Sequence, residues 1–124
     1  MPQITVDHSA QLKHGFEWDR PAFVQDLHST VVEIAAAKLP ACKTRFRPTG
    51  DVFIGHEQAE DHALVHVHIG MLPGRTEETK ARLTEAVLEL VRRHVRPVDG
   101  LTLHASAEVR DLDASYRKFV EPAE

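Results

Sequence analysis

At 124 residues with a formal net charge of -4, the chain is long enough to bury one core and too short for two, so a second catalytic domain is excluded. Its 15 Lys and Arg residues are scattered, which removes the electrostatic ground for expecting a nucleic-acid partner. The longest apolar stretch, Val31-Val32-Glu33-Ile34-Ala35-Ala36-Ala37, is short and interrupted, and no basic n-region leads into an apolar h-region, so neither a membrane partner nor a leader is expected. A single cysteine, Cys42, allows no internal disulfide, and the expected location is cytoplasmic.

Gln3 to His8 alternates as a half-buried strand behind Pro2. Asp19-Arg20-Pro21 supplies a helix cap with proline in the first turn. Phe23, Val24, Leu27, Val31, Ile34 and Ala35 then recur at helical spacing, and Lys38-Leu39-Pro40 is expected to give a basic last turn and a stop. A second strand is expected over Thr44 to Ile54. Pro48-Thr49-Gly50 interrupts it, which predicts a bent, bulged or edge strand.

The second half repeats this order. Ala63 to Ile69 alternates strictly as a strand, and Leu72-Pro73-Gly74-Arg75 turns the chain toward a helix capped by Thr76, with Glu77 and Glu78 in its first turn. Ala81, Leu83, Val87, Leu88, Leu90, Val91 and Val95 form the apolar stripe, and Val98-Asp99-Gly100 is expected to close the helix before a strand from Leu101 to Val109. Two β-α-β units, about 2–56 and 61–110, predict one α/β (α+β) domain over 1–124. Its four-stranded sheet should be mixed, with both helices on one face. The bare face, expected to carry alternating apolar positions, calls for oligomerisation.

Pro2 matters chemically because an internal proline nitrogen is a non-basic amide, whereas removal of Met1 would make it a titratable secondary amine, both base and nucleophile. The structural alternative is a proline simply tolerated at a strand start. Arg45 and Arg47, two apart on a strand, share a face. Arg75 follows a Pro-Gly turn just ahead of a helix, where backbone donors favour anions. His66 and His68 also share a strand face, with His56, Glu60, Asp61 and His62 upstream, which raises a metal-binding module as an alternative. Their spacing completes no recognised metal pattern, so no metal site is assigned.

The Met1-Pro2 start, Leu39-Pro40 with Thr44-Arg45-Phe46-Arg47, His62-Ala63-Leu64-Val65-His66-Val67 running into Gly74-Arg75-Thr76, and Ala107-Glu108-Val109 with Asp111-Leu112 together resemble the tautomerase superfamily. More closely, the chain resembles its 5-carboxymethyl-2-hydroxymuconate Δ-isomerase family. The resemblance implies a cofactor-free, homotrimeric isomerase of aromatic-compound catabolism, with Pro2 as catalytic base. It places Arg45 and Arg75 in catalysis and in binding a small carboxylate substrate, Arg47 as a second choice for binding, and 111–124 in subunit contacts. Two alternatives stay open: a keto-enol tautomerase of phenylpyruvate-like acids, and a non-catalytic module that binds a small acid.

Overall fold

The computed structural model describes residues 2–9, 16–97 and 100–123. Its main sheet has four strands: β1 (Gln3–Ser9), β2 (Lys43–Thr49), β3 (His62–Met71) and β4 (Thr102–Asp111). Their order across the sheet is β2-β1-β3-β4. β1 runs parallel to β2, β3 runs parallel to β4, and the two pairs join through the antiparallel β1–β3 ladder. The expected mixed sheet with two helices is therefore present. Both interior strands come from the starts of the two β-α-β stretches.

Helix α1 (Arg20–Ala35) begins where Asp19 accepts a hydrogen bond from the Ala22 amide at 3.1 Å, with Pro21 in the first turn. Its buried residues Phe23, Leu27, Val31 and Ala35 are each four apart, so one narrow stripe meets the sheet. The helix ends earlier than the basic turn expected at Lys38. Ala36 takes a left-handed conformation (φ 57°), and Leu39–Ala41 forms a separate 3₁₀ turn containing Pro40.

Helix α2 (Glu77–His94) is capped by Thr76, whose hydroxyl accepts from the Thr79 amide at 3.1 Å. Glu77 and Glu78 lie at its positive end and Arg92, Arg93 and His94 at its negative end, which complements the helix dipole. Leu83, Val87, Leu90 and Val91 are buried, whereas Ala81 of the expected stripe is exposed. The helix stops at His94, not at Val98-Asp99-Gly100, because Pro97 disfavours helical geometry in the residue before it. Arg96–Pro97 instead pairs antiparallel with Phe16–Glu17, while Val98 and Asp99 lie outside the described residues.

The strand expected over Thr44 to Ile54 ends at Thr49. It is an edge strand, which tolerates the missing donor of Pro48. Phe53–Ile54 pairs separately with Glu57–Gln58 across a turn where Gly55 has φ 62°.

One sheet face holds the core: Ile4, Val6, Ala63, Val65, Val67 and Ile69 pack against the helical stripes. The opposite face corrects a sequence expectation. It presents mostly polar residues rather than an apolar row: Thr5 and Asp7 of β1, Arg45 and Arg47 of β2, His66 and His68 of β3, and Ser106 and Glu108 of β4, with Leu64 among them. Among the described residues, no helix is long and apolar enough to cross a membrane.

Half-buried His28 ties α1 to β2 through an Nε2 to Thr44 Oγ1 hydrogen bond of 2.7 Å, and burial lowers its pKa from 6.5. The unfolded chain then binds more protons just below pH 6.5, so this contribution to stability is complete above 6.5 and is lost as pH falls through the lowered native value. Thermal melts from about pH 7.5 to about pH 5 should show a shallower fall in Tm for His28→Gln than for the parent chain.

Candidate active site

Pro2 is buried immediately ahead of β1, and its carbonyl accepts a hydrogen bond from the Lys43 amide at 3.2 Å. The β1–β3 register sets Gln3 opposite Gly70, so the antiparallel partner strand ends beside Pro2 and delivers the turn 72–76 to the same end of the sheet. β4 ends there too, with the Leu112 amide bonded to the Met71 carbonyl at 2.7 Å. One sheet end thus gathers Pro2, the start of β2, the start of α2 and the C-terminal segment.

Arg75 is fixed from the helix side of this end. Its Nε donates to the Ala35 carbonyl at 3.0 Å and its Nη1 to the Leu72 carbonyl at 3.2 Å. The first bond satisfies one of the carbonyls left unpaired at the C-terminus of α1, where a cation is also favoured. A guanidinium carries five N–H donors, so donors remain after these two bonds. Arg75 borders an open depression of about 410 Å³ lined also by Ile34, Ala35, Ala36, Gly74, Thr76 and Thr79.

Arg45 lies on the opposite, polar face, one strand from Pro2. It pairs with Thr5 in the β1–β2 register, and its Nη2 donates to Gln3 Oε1 at 2.8 Å. Gln3 Nε2 in turn donates to the Tyr116 hydroxyl at 3.1 Å. The C-terminal segment therefore reaches back to hold the glutamine that orients Arg45. Arg45 and Arg75 consequently share an end of the sheet but not a face.

Arg47 sits further from that end and is already engaged, with Nε and Nη2 forking onto the two carboxylate oxygens of Asp7 at 2.8 and 3.2 Å. This bond holds the Asp7 carboxyl below its ordinary pKa despite partial burial. Asp7 and Arg47 share a shallow depression of about 400 Å³ with Thr5, His66, His68 and Glu108. His66 bonds Ser106 Oγ at 2.6 Å and Glu108 Oε1 at 3.3 Å, and His62 Nδ1 lies 2.9 Å from His104 Nε2. Among the described residues, no three His, Cys, Asp or Glu side chains are grouped to hold a metal ion.

The family model for 5-carboxymethyl-2-hydroxymuconate isomerase matches residues 2–119, from the buried proline to the C-terminal segment. The chain belongs to that family. No curated protein sequence matches it. A 5-carboxymethyl-2-hydroxymuconate isomerase from Deinococcus radiodurans R1 is similar in structure, at 16% identity over 94% of this chain and 88% of that one, with a TM-score of 0.73. A 5-carboxymethyl-2-hydroxymuconate delta-isomerase gives 13% identity over 98% and 89%, with a TM-score of 0.75. A fused 4-OT wild-type symmetric trimer gives 20% identity over 98% and 94%, with a TM-score of 0.67. At these identities the structures establish a tautomerase-like fold, while membership of the isomerase family supports an isomerase or tautomerase activity.

Gln3, Tyr116 and Lys43 also stand at this sheet end, none of them marked by a motif. The strand alternation that paired Arg45 with Arg47 places Lys43 on the same face, so that signal was present. The Gln3–Tyr116 bond spans 113 positions and leaves no local pattern.

The two carbonyl contacts give Arg75 a structural role separable from turnover. Arg75→Ala should unfold in urea with a loss of about 1–2 kcal/mol of stability. Arg45→Ala, whose partner Gln3 keeps its bond to Tyr116, should lose less.

Proposed function

We propose that the chain is a cofactor-free isomerase that converts a 2-hydroxymuconate-type dicarboxylate or tricarboxylate from enol to keto form. The proposed substrate is 5-carboxymethyl-2-hydroxymuconate from homoprotocatechuate breakdown. The observation that carries this reading is a family match that begins at Pro2, in a fold that buries this residue at the head of an interior strand.

The proposed base is the Pro2 amine freed by removal of Met1. It takes the enol O–H proton, becomes an ammonium, and returns the proton to a carbon of the conjugated chain, so the cycle neither gains nor loses protons and moves no electrons to an external acceptor. Burial disfavours the ammonium form, and nearby arginines act in the same direction, which suits a base working near neutral pH. Arg45 and Arg75 bind the carboxylates and offset negative charge developing on the enolate, with Arg47 as a further carboxylate partner that must first exchange its bond to Asp7.

A substrate touching Arg45 and Arg75 of one chain has to cross the sheet end at Pro2. One taking an arginine from a neighbouring copy needs an oligomer. The proposed assembly is a homotrimer, as named for the fused 4-OT structure, with 111–124 in its subunit contacts. The exposed Phe119 supports that role for the C-terminal segment.

Intact mass and turnover of 5-carboxymethyl-2-hydroxymuconate, followed by ultraviolet absorbance, test the reading together. The expected result is a mass lacking Met1 and measurable turnover, with kcat falling about 10²- to 10⁴-fold in Pro2→Ala. Full activity with Met1 retained would overturn the proposed base. Arg75→Ala should raise KM if the guanidinium only binds and lower kcat if it stabilises developing charge; neither parameter changing would remove it from the site.

A further inference from the structure

Beside Pro2, a depression of about 340 Å³ is lined by Lys38, Pro40, Ala41, Lys43, Lys118 and Val120. Its three lysines come from three parts of the chain: the segment after α1, the first residue of β2, and the C-terminal segment. Among the described residues, Lys38, Lys43 and Lys118 meet no carboxylate, and Lys43 Nζ donates only to the Ala41 carbonyl, at a long 3.4 Å. Like charges gathered without a counterion repel one another, and a bound anion relieves that repulsion. Pro40, Ala41 and Val120 supply apolar wall for a hydrocarbon stem.

The position of this depression links it to the proposed chemistry. The Lys43 amide bonds the Pro2 carbonyl at 3.2 Å, and Arg45, two residues further along β2, shares the Lys43 face. We infer that the depression is a carboxylate subsite for the far end of an elongated acid whose reacting end lies at Pro2, with Lys38, Lys43 and Lys118 setting the preference for a substrate that carries an additional carboxylate. Lysine suits this task. Compact ammonium groups on flexible stems tolerate acids of different length, whereas the planar guanidinium of Arg75 is held in one orientation by two carbonyls. The inference rests on the proposed function for the identity of the reacting end, while anion binding at the lysines needs no turnover.

The test titrates the full chain with adipate, a non-reacting dicarboxylate, and follows the amide ¹H–¹⁵N signals of Ala41, Lys43 and Lys118 by NMR. Saturable shifts are expected, weakened about tenfold in Lys43→Gln/Lys118→Gln and kept within about twofold in Lys43→Arg/Lys118→Arg. The uncharged diamide should leave these signals in place. Signals unmoved by adipate, or equal affinity in the parent and the glutamine variant, would overturn the subsite. Adipate binding at these amides without muconate turnover would support the subsite and count against the isomerase reading alone. Turnover with an unchanged KM in the glutamine variant would count against the subsite alone.

Discussion

β1 hydrogen-bonds on both sides, to β2 in parallel and to β3 antiparallel, and the rest of the structure depends on this interior placement. A strand at the sheet edge would leave the residue ahead of it open to water. An interior strand carries Pro2 into a buried position, with Lys43 on one flank and the end of β3 on the other. Parallel pairing has a second consequence. β2 must start where β1 starts, so the chain has to return along α1, and the C-terminus of that helix meets Arg75 at the same end.

Arg75 shows how fold and site are joined. Its bonds to the Ala35 and Leu72 carbonyls close the end of α1 and the turn after β3, and they also fix the guanidinium with donors to spare. Arg45 is held differently, by Gln3, which Tyr116 holds in turn. Arg47 is neutralised by Asp7 on the same face. The three arginines singled out from the sequence therefore have three different electrostatic situations: one anchored by main-chain carbonyls, one oriented by an amide, and one already paired with a carboxylate.

The elements that could be read from the sequence were those fixed by local chemistry. Asp19 and Thr76 cap the helices as expected, the alternation Ala63 to Ile69 became an interior strand, and the Pro48-Thr49-Gly50 break marks where an edge strand ends. Helix ends were harder to read, because Ala36 leaves α1 through a left-handed conformation with no glycine to announce it, and Pro97 stops α2 before the expected Val98-Asp99-Gly100 turn. The polar character of the uncovered face was present in the alternation itself, since Thr5 and Asp7 of β1 and His66 and His68 of β3 are the polar members of their runs and the apolar members meet the helices. Of the proposed site, Pro2, Arg45 and Arg75 are named by the family resemblance rather than by any local pattern. Gln3 and Tyr116 are named by neither, since their contact exists only once the C-terminal segment folds back onto β1.

A buried amine at the head of the central strand is the core of the proposed chemistry, and its titration is the most direct check. With ¹⁵N-proline incorporated, the Pro2 nitrogen should titrate as a single amine with a pKa near the operating pH, and the pH dependence of kcat/KM should follow the same value. A Pro2 nitrogen that does not titrate between about pH 5 and about pH 10, as an amide behind a retained Met1 would not, would contradict the account.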